Sequence, residues 1–248
     1  MAAHHPFPVF ITRSNGQLDS FQDQRTGEPI PLRAFLGDIG KPVAHPVVEA
    51  FADFGVPSVW HITDIVNVPG IMHVGLLSHN RAYAGHQPID ISDASVQHWR
   101  HRCDPCNGRS LHDYALTYIN VRNPMLYKRR DRQQRLCLLE ISLCALEKQD
   151  FVFTDRNAAA REARFFNTLA DLGKLPWDVL RAPTWHTYPF GRQQRCAEVL
   201  VPDVIPARFI KRIWAYDQAA VKWLSTQGCS AGIDAANFFR GQGGRAWH

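Results

Sequence analysis

Arg195-Cys196-Ala197-Glu198-Val199-Leu200-Val201 places one carboxylate inside an otherwise apolar run. In an extended strand Val199 and Val201 share one face, and Glu198 shares the other with Cys196 and Leu200. The run follows residues 174–195, which hold Pro176, Pro183, Pro189 and Gly191 and read as a long loop. A loop of that length inside a compact domain usually carries function. A partly buried glutamate is costly unless a task or a partner retains it. One task is to hydrogen-bond a sugar hydroxyl while positive charge grows on the ring as a leaving group departs. The same carboxylate can then accept a proton from the attacking group. A glutamate paired with a core arginine is the competing reading.

Working outward, Val59–Ile62 reads as a short strand. Asp64 or Asn67 caps the helix after it, with Pro69 in the first turn. Ile71, Met72 and Val74 form that helix's apolar face, Gly75 ends it, and Leu76–Leu77 is extended. Leu116–Val121, Leu136–Ile141, Phe151–Phe153 and Ala197–Val201 are strand candidates. The spacing predicts helices over Asn157–Leu172, Pro206–Ile213 and Ala219–Thr226, and a loose Gly-rich tail after Gly228. Residues 1–57 read as an N-terminal extension, partly helical, with amphipathic stretches at Arg33–Leu36 and Val47–Phe54. Residues 58–248 read as the main domain.

Composition agrees with a folded chain. Of 248 residues, 45% are hydrophobic and 21% charged, which excludes a disordered class. Sixteen Pro and sixteen Gly predict many turns and short elements. The net charge of +5 is carried largely by Arg, clustered at Arg100–Arg102, Arg129–Arg135 and Arg192–Arg195. Arginine suits phosphates and base edges, although a solvated basic face has the same composition. Of six cysteines, four lie in apolar or mixed runs, as buried thiols of a reducing compartment do. No signal peptide and no apolar run of about 20 residues is visible, so the expected place is the cytoplasm, with no membrane association.

Four constellations bear chemistry. His61-Ile62-Thr63 ends a strand at a helix N-terminus, a corner that suits a ribose, an amide or a phosphate. A satisfied strand-end histidine is the alternative. Gln97 and Arg100 fall at i, i+3 on a short helix capped by Ser92 or Asp93, where Arg100 can neutralise a pyrophosphate; an ordinary surface helix has the same pattern. His112, Tyr114, Asn120, Arg122, Asn123, Met125 and Tyr127 interleave aromatics with polar groups, as a single-stranded nucleic-acid surface requires. A strand and turn with half-buried tyrosines would look alike. Glu198 is the fourth. Against these stands His101-x-Cys103-x-x-Cys106 with His112, a possible tetrahedral zinc set in a non-catalytic nucleic-acid-binding module.

Together these pieces resemble the DarT family of toxins, which ADP-ribosylate bases in single-stranded DNA. The resembling stretches, in family order, are His61-Ile62-Thr63-Asp64, Gly75-Leu76-Leu77-Ser78-His79-Asn80, Asp90-Ile91-Ser92 and Gln97 to Arg100. After them come Leu111-His112-Asp113-Tyr114, Arg122-Asn123-Pro124-Met125-Leu126-Tyr127, Phe153-Thr154-Asp155-Arg156-Asn157-Ala158-Ala159 and Ala197-Glu198-Val199-Leu200-Val201-Pro202.

The resemblance implies an α+β fold of the ADP-ribosyltransferase type, a split, mostly antiparallel β-core with flanking helices that grips NAD as substrate. It implies catalytic roles for Glu198 and Arg100. Cofactor contacts would come from His61, Ile62, Thr63, Gly70, Ser78 and Gln97, and nucleic-acid contacts from His112, Tyr114, Arg122, Asn123, Met125 and Arg156. Residues 155–197 would form the substrate-reading loop. Thymidine is the implied target, with guanine or RNA as alternatives, and a macrodomain antitoxin is the implied partner. Trp99 departs from the pattern, standing where an arginine often precedes the essential one.

Overall fold

The computed structural model describes residues 45–147, 149–234 and 236–239, and strands within the preceding stretch. The chain divides into two compact units, Met1–Ala44 and His45–His248. The first contains a three-stranded antiparallel sheet of β1 (Val9–Ser14), β2 (Gln17–Asp23) and β3 (Pro29–Ile30). The amphipathic stretch Arg33–Leu36 lies outside the described residues.

The second unit starts with helix α1 (Pro46–Ala52), whose Phe51 is fully buried edge-on to Phe153, so residues 45–57 pack with the main core. Its sheet has eight strands: β4 (Val59–Asp64), β6 (Tyr114–Tyr118), β7 (Leu136–Ile141), β8 (Val152–Thr154), β9 (Phe165–Phe166), β10 (Glu198–Pro202), β12 (Ile210–Ala215) and β13 (Gly232–Ile233). Their order is β13-β12-β7-β4-β6-β10-β8-β9. Every pairing is antiparallel except β12 with β13. Two further strands, β5 (Leu76–Leu77) and β11 (Val204–Ile205), pair separately.

The sheet is split at its centre. β4 pairs with β7 along six residues, but with β6 only at Trp60 and Tyr118. Beyond that point the two strands diverge and a side chain spans the gap: His61 Nδ1 lies 2.8 Å from the Leu116 carbonyl. β10 is buried at all five positions, between β6 and β8. A strand covered on both faces needs an unbroken apolar run, which explains the company that Glu198 keeps.

Helix α2 (Val68–Val74) follows the Asp64-capped turn after β4 and stops at Gly75. That glycine has φ +93°, and a Cβ there would meet the Ile205 carbonyl oxygen at 2.7 Å. The stop is therefore backbone-enforced, and it lets β11 approach β5. Helix α3 (His79–Gly85) and helix α4 (Ala94–His98) then wall the cleft that opens at the split.

Three expectations fail. Asn157–Leu172 is not a helix but turns, strand β9 and a 3-10 turn over Leu169–Lys174. Asp155, wholly buried, draws in the Arg156 and Arg164 side chains and the Arg164 N–H, and Asn157 Oδ1 accepts from Ala159 N. These local bonds outweigh helical spacing. Pro206–Ile213 becomes a 3-10 turn and then strand β12, since pairing with β7 buries Ile210 and Ile213. The stretch read as one long loop contains two short helices after α5 (Pro124–Lys128): α6 (Trp177–Arg181) and α7 (Gly191–Gln194). Helix α8 (Gln218–Thr226) is capped by Asp217. Part of the tail is ordered as β13, and residues beyond 239 lie outside the description. Among the described residues no helix is long and apolar enough to cross a membrane.

Candidate active site

Arg100 and Glu198 meet inside the protein. Arg100 sits in the 3-10 turn Trp99–His101 that continues α4, and its Nη1 lies 3.3 and 3.1 Å from the two oxygens of Glu198. Both side chains are buried, Glu198 completely. Burial pushes the Glu198 carboxyl above the ordinary glutamate range, and the Arg100 guanidinium opposes that rise. The pairing recovers only part of the desolvation cost, so it is poor evidence of a purely structural role. The backbone holds Glu198 from both sides: its N–H donates to Thr154 Oγ1 on β8, and Tyr118 stands opposite it on β6.

Two cavities, each of about 380 Å³, open beside this pair and share Ser92, Gln97, Arg100, Leu116, Tyr118 and Met125 as lining. The first lies over the split. β4 contributes His61, Ile62 and Thr63, and α2 contributes Gly70. The Leu116 carbonyl receives the His61 Nδ1–H, which leaves Nε2 as an acceptor, and burial pushes the His61 pKa down to about 4.

An aromatic column crosses the same cavity. The Tyr83 and His79 rings lie 4.4 Å apart, His79 and His112 stack at 4.3 Å, and His101 meets His112 edge-on at 4.7 Å. His112 Nε2 is 3.0 Å from Gln97 Oε1. Burial first, then His79, His101 and Arg100, push the His112 pKa down to about 4, and burial also lowers His79. The stacked His79 and His112 rings are thereby kept neutral at physiological pH, a flat surface for an aromatic or amide group.

The second cavity differs. Lys128, Arg129 and Arg192 line it, and Trp99, 65% exposed, stands at its edge. Helix α7 brings Arg192 in through a close approach at Gly191, where a Cβ would lie 2.1 Å from the Trp185 carbonyl oxygen.

Several sequence expectations are redirected. His112 lines the first cavity, beside Gln97, and not the second. Ser78 is fully buried and caps α3, outside either cavity lining. Tyr114 is buried, its hydroxyl donating to Asp104. Asn123 is fully buried as the cap of α5. Arg122 holds the carbonyls of Ala236 and Phe238, and Arg156 pairs with Asp155 beneath the Phe190 ring. Met125 alone of that group lines both cavities.

The basic clusters divide similarly. Arg102 binds the carbonyls of Ala158 and Ala160, and Arg195 those of Arg122, Val179, Leu180 and Ala182, so both are internal staples. Among the described residues no three His, Cys, Asp or Glu side chains are placed to hold a metal ion, so the zinc set weighed from sequence does not assemble. Sequence reading missed Tyr118, His79 and Arg129. Period-2 alternation puts Tyr118 beside Leu116 on one strand face, but only the β6–β10 register sets it against Glu198.

Comparison with known proteins gives one answer. Residues 60–237 match the family model of DarT, an ssDNA thymidine ADP-ribosyltransferase. A DNA ADP-ribosyl transferase of Thermus sp. (strain 2.9) is 34% identical over 170 residues, 64% of this chain and 81% of that protein. A transferase–glycohydrolase fusion protein of Thermosipho africanus is 28% identical over 64% of this chain and 42% of its own length. The solved Thermus sp. 2.9 DarT in complex with ADP-ribosylated ssDNA superposes with a TM-score of 0.68 at 29% identity, covering 75% of this chain and 97% of the other. The same protein with NAD+ gives 0.64 at 28% identity, covering 74% and 98%.

Proposed function

Because the chain belongs to the DarT family, we infer that it transfers the ADP-ribosyl group of NAD to thymidine in single-stranded DNA. The observation that carries the residue assignment is the buried Arg100–Glu198 pair, whose Arg100 lines two cavities of unlike character.

The first cavity takes the NAD. His61, Thr63 and Gln97 offer hydrogen bonds around it, and the His79–His112 column offers a neutral face. Glu198 holds a hydroxyl of the nicotinamide ribose, so its charge opposes the positive charge that develops at C1′. Arg100 keeps that carboxylate oriented and faces the pyrophosphate. The bond broken is glycosidic, which makes the reaction a glycosyl transfer rather than a nucleotidyl transfer.

The second cavity takes the acceptor strand. Lys128, Arg129 and Arg192 supply positive charge, and exposed Trp99 supplies a stacking face. A single strand presents its bases without the cost of opening a duplex. We place the reaction in the cytoplasm, where NAD and DNA occur together. Unchecked marking of bases suits a toxin, and the transferase–glycohydrolase fusion protein suggests a macrodomain-type antitoxin that removes the mark.

Mass spectrometry of mixed DNA and RNA oligonucleotides incubated with NAD tests this reading. One ADP-ribose is expected on thymine-containing DNA. An adduct confined to guanine or to RNA replaces the acceptor, and no adduct with folded protein and intact NAD sinks the reading.

A further inference from the structure

Among the described residues, Arg129 is a buried cation with a donor that no hydrogen bond answers. It follows α5, whose start is fixed by the fully buried Asn123 and whose Met125 lines both cavities. Its backbone N–H closes that helix on Leu126. The side chain is only 7% exposed, yet lines the second cavity in the company of Arg100 and Tyr118. Its Nε has no hydrogen-bond partner. The acid beside it in the lining, Asp93, is engaged by Lys128. Burial, and then Arg132, lower the Arg129 pKa, against the opposing pull of Tyr118, Asp93 and Asp90. A buried guanidinium with an unanswered donor is expensive, and such groups in native proteins mark strain, an absent ion or a ligand contact. Arg102, the other arginine with an unpartnered Nε, differs because its Nη2 is spent on two carbonyls.

We propose that Arg129 recognises the acceptor base through its carbonyl oxygens and stabilises the anion formed when that base loses its proton. This rests on the DNA-transfer reading above. In thymidine N1 is bonded to the sugar, so N3–H is the ring's one N–H, flanked by the O2 and O4 carbonyls. As N3 gives its proton to the Glu198 carboxylate, negative charge spreads over O2 and O4. The N3 lone pair forms the new bond to C1′ of the nicotinamide ribose. The electron pair of the C1′–nicotinamide bond leaves with neutral nicotinamide, and the proton on Glu198 passes to solvent. A fixed guanidinium donates hydrogen bonds to a carbonyl and strengthens them as the charge develops. The same donors disfavour adenine, which presents an amino group and no carbonyl. Arg129 thereby couples selection of the base to its activation.

The test compares the unaltered chain with Arg129→Gln and Arg129→Lys on thymine oligonucleotides and on the same oligonucleotides carrying 5-fluorouracil, whose N3–H is more acidic. Transfer by the unaltered chain comes first, and its absence sinks the parent reading and this inference together. With transfer established, Arg129→Gln should lower the rate about 100-fold near neutral pH. The deficit should shrink as pH rises and shrink again on 5-fluorouracil, because a base that ionises readily needs less help. Arg129→Lys should show the same trends with a smaller deficit, and it carries the test if the glutamine variant does not fold. Undiminished transfer overturns the inference. So does a loss that is equal at every pH and for both bases, which is the signature of a phosphate contact or a structural role.

Discussion

The two cavities beside Arg100 have the same volume and six lining residues in common, yet opposite chemistry. The first is walled by β4 and α2 and crossed by imidazoles that burial keeps neutral. The second carries three cationic side chains besides the shared Arg100, and an exposed tryptophan. A neutral aromatic wall suits a ligand held by shape and hydrogen bonds, and a cationic mouth suits a polyanion. The difference teaches that this site is organised as two half-sites sharing Arg100, whose partner Glu198 lies buried behind it. Substitutions should therefore sort into those that touch NAD, those that touch DNA, and those that touch both.

Arg100 lines both sides, so Arg100→Ala should do the greatest damage. Leaving Glu198 buried without its partner should cost about 3–5 kcal/mol of stability, read as a lowered melting temperature, along with near-complete loss of transfer. A double variant, Arg100→Ala with Glu198→Ala, should be less destabilised than the sum of the single variants. Additive destabilisation would mean that the pair does not act as a unit.

Trp99→Ala breaks the comparison on one side only. Removing a stacking face should weaken binding of a thymine oligonucleotide by about 1–3 kcal/mol and leave NAD affinity alone. Weakened NAD binding instead would erase the division between the cavities. His61→Ala acts from the other side. His61 lines the first cavity and not the second, so its loss should raise KM for NAD roughly five-fold, about 1 kcal/mol, with little effect on DNA affinity.

Titration gives the smallest expected effect. His61 and His112 have pKa values lowered to about 4, so NAD affinity should be flat from pH 8 to pH 5 and weaken only as the rings become charged near pH 4. The transfer rate should rise with pH through a Glu198 pKa above the ordinary glutamate value, because the ionised carboxylate is the working form. A break in NAD affinity near pH 6.5, where an unperturbed histidine titrates, would contradict the neutral state of His61 and His112.

Much of this was legible in sequence, for identifiable reasons. A charge inside an apolar strand announces itself, and so does His61-Ile62-Thr63 before a capped helix, because both signals are local. Gln97 and Arg100 could be placed together by helical spacing alone. The arginines could not be sorted that way. Arg195 and Arg102 look as free in sequence as Arg129, but carbonyls brought close only by the fold occupy the first two. Asn123 and Tyr114 look like surface groups in sequence for the same reason: a cap and a buried hydroxyl share the composition of a binding surface. The helix expected over Asn157–Leu172 fails because the buried carboxylate of Asp155 holds both ends of a turn, a local side-chain cause that periodicity cannot register.

The central claim is that Glu198 serves the chemistry rather than the mere holding of NAD. Glu198→Gln tests it most directly, with NAD affinity and transfer to a thymine oligonucleotide measured on the same preparation. The expected result is NAD binding retained and transfer lowered about 1,000-fold. Transfer at the unaltered rate by the folded variant would contradict the account.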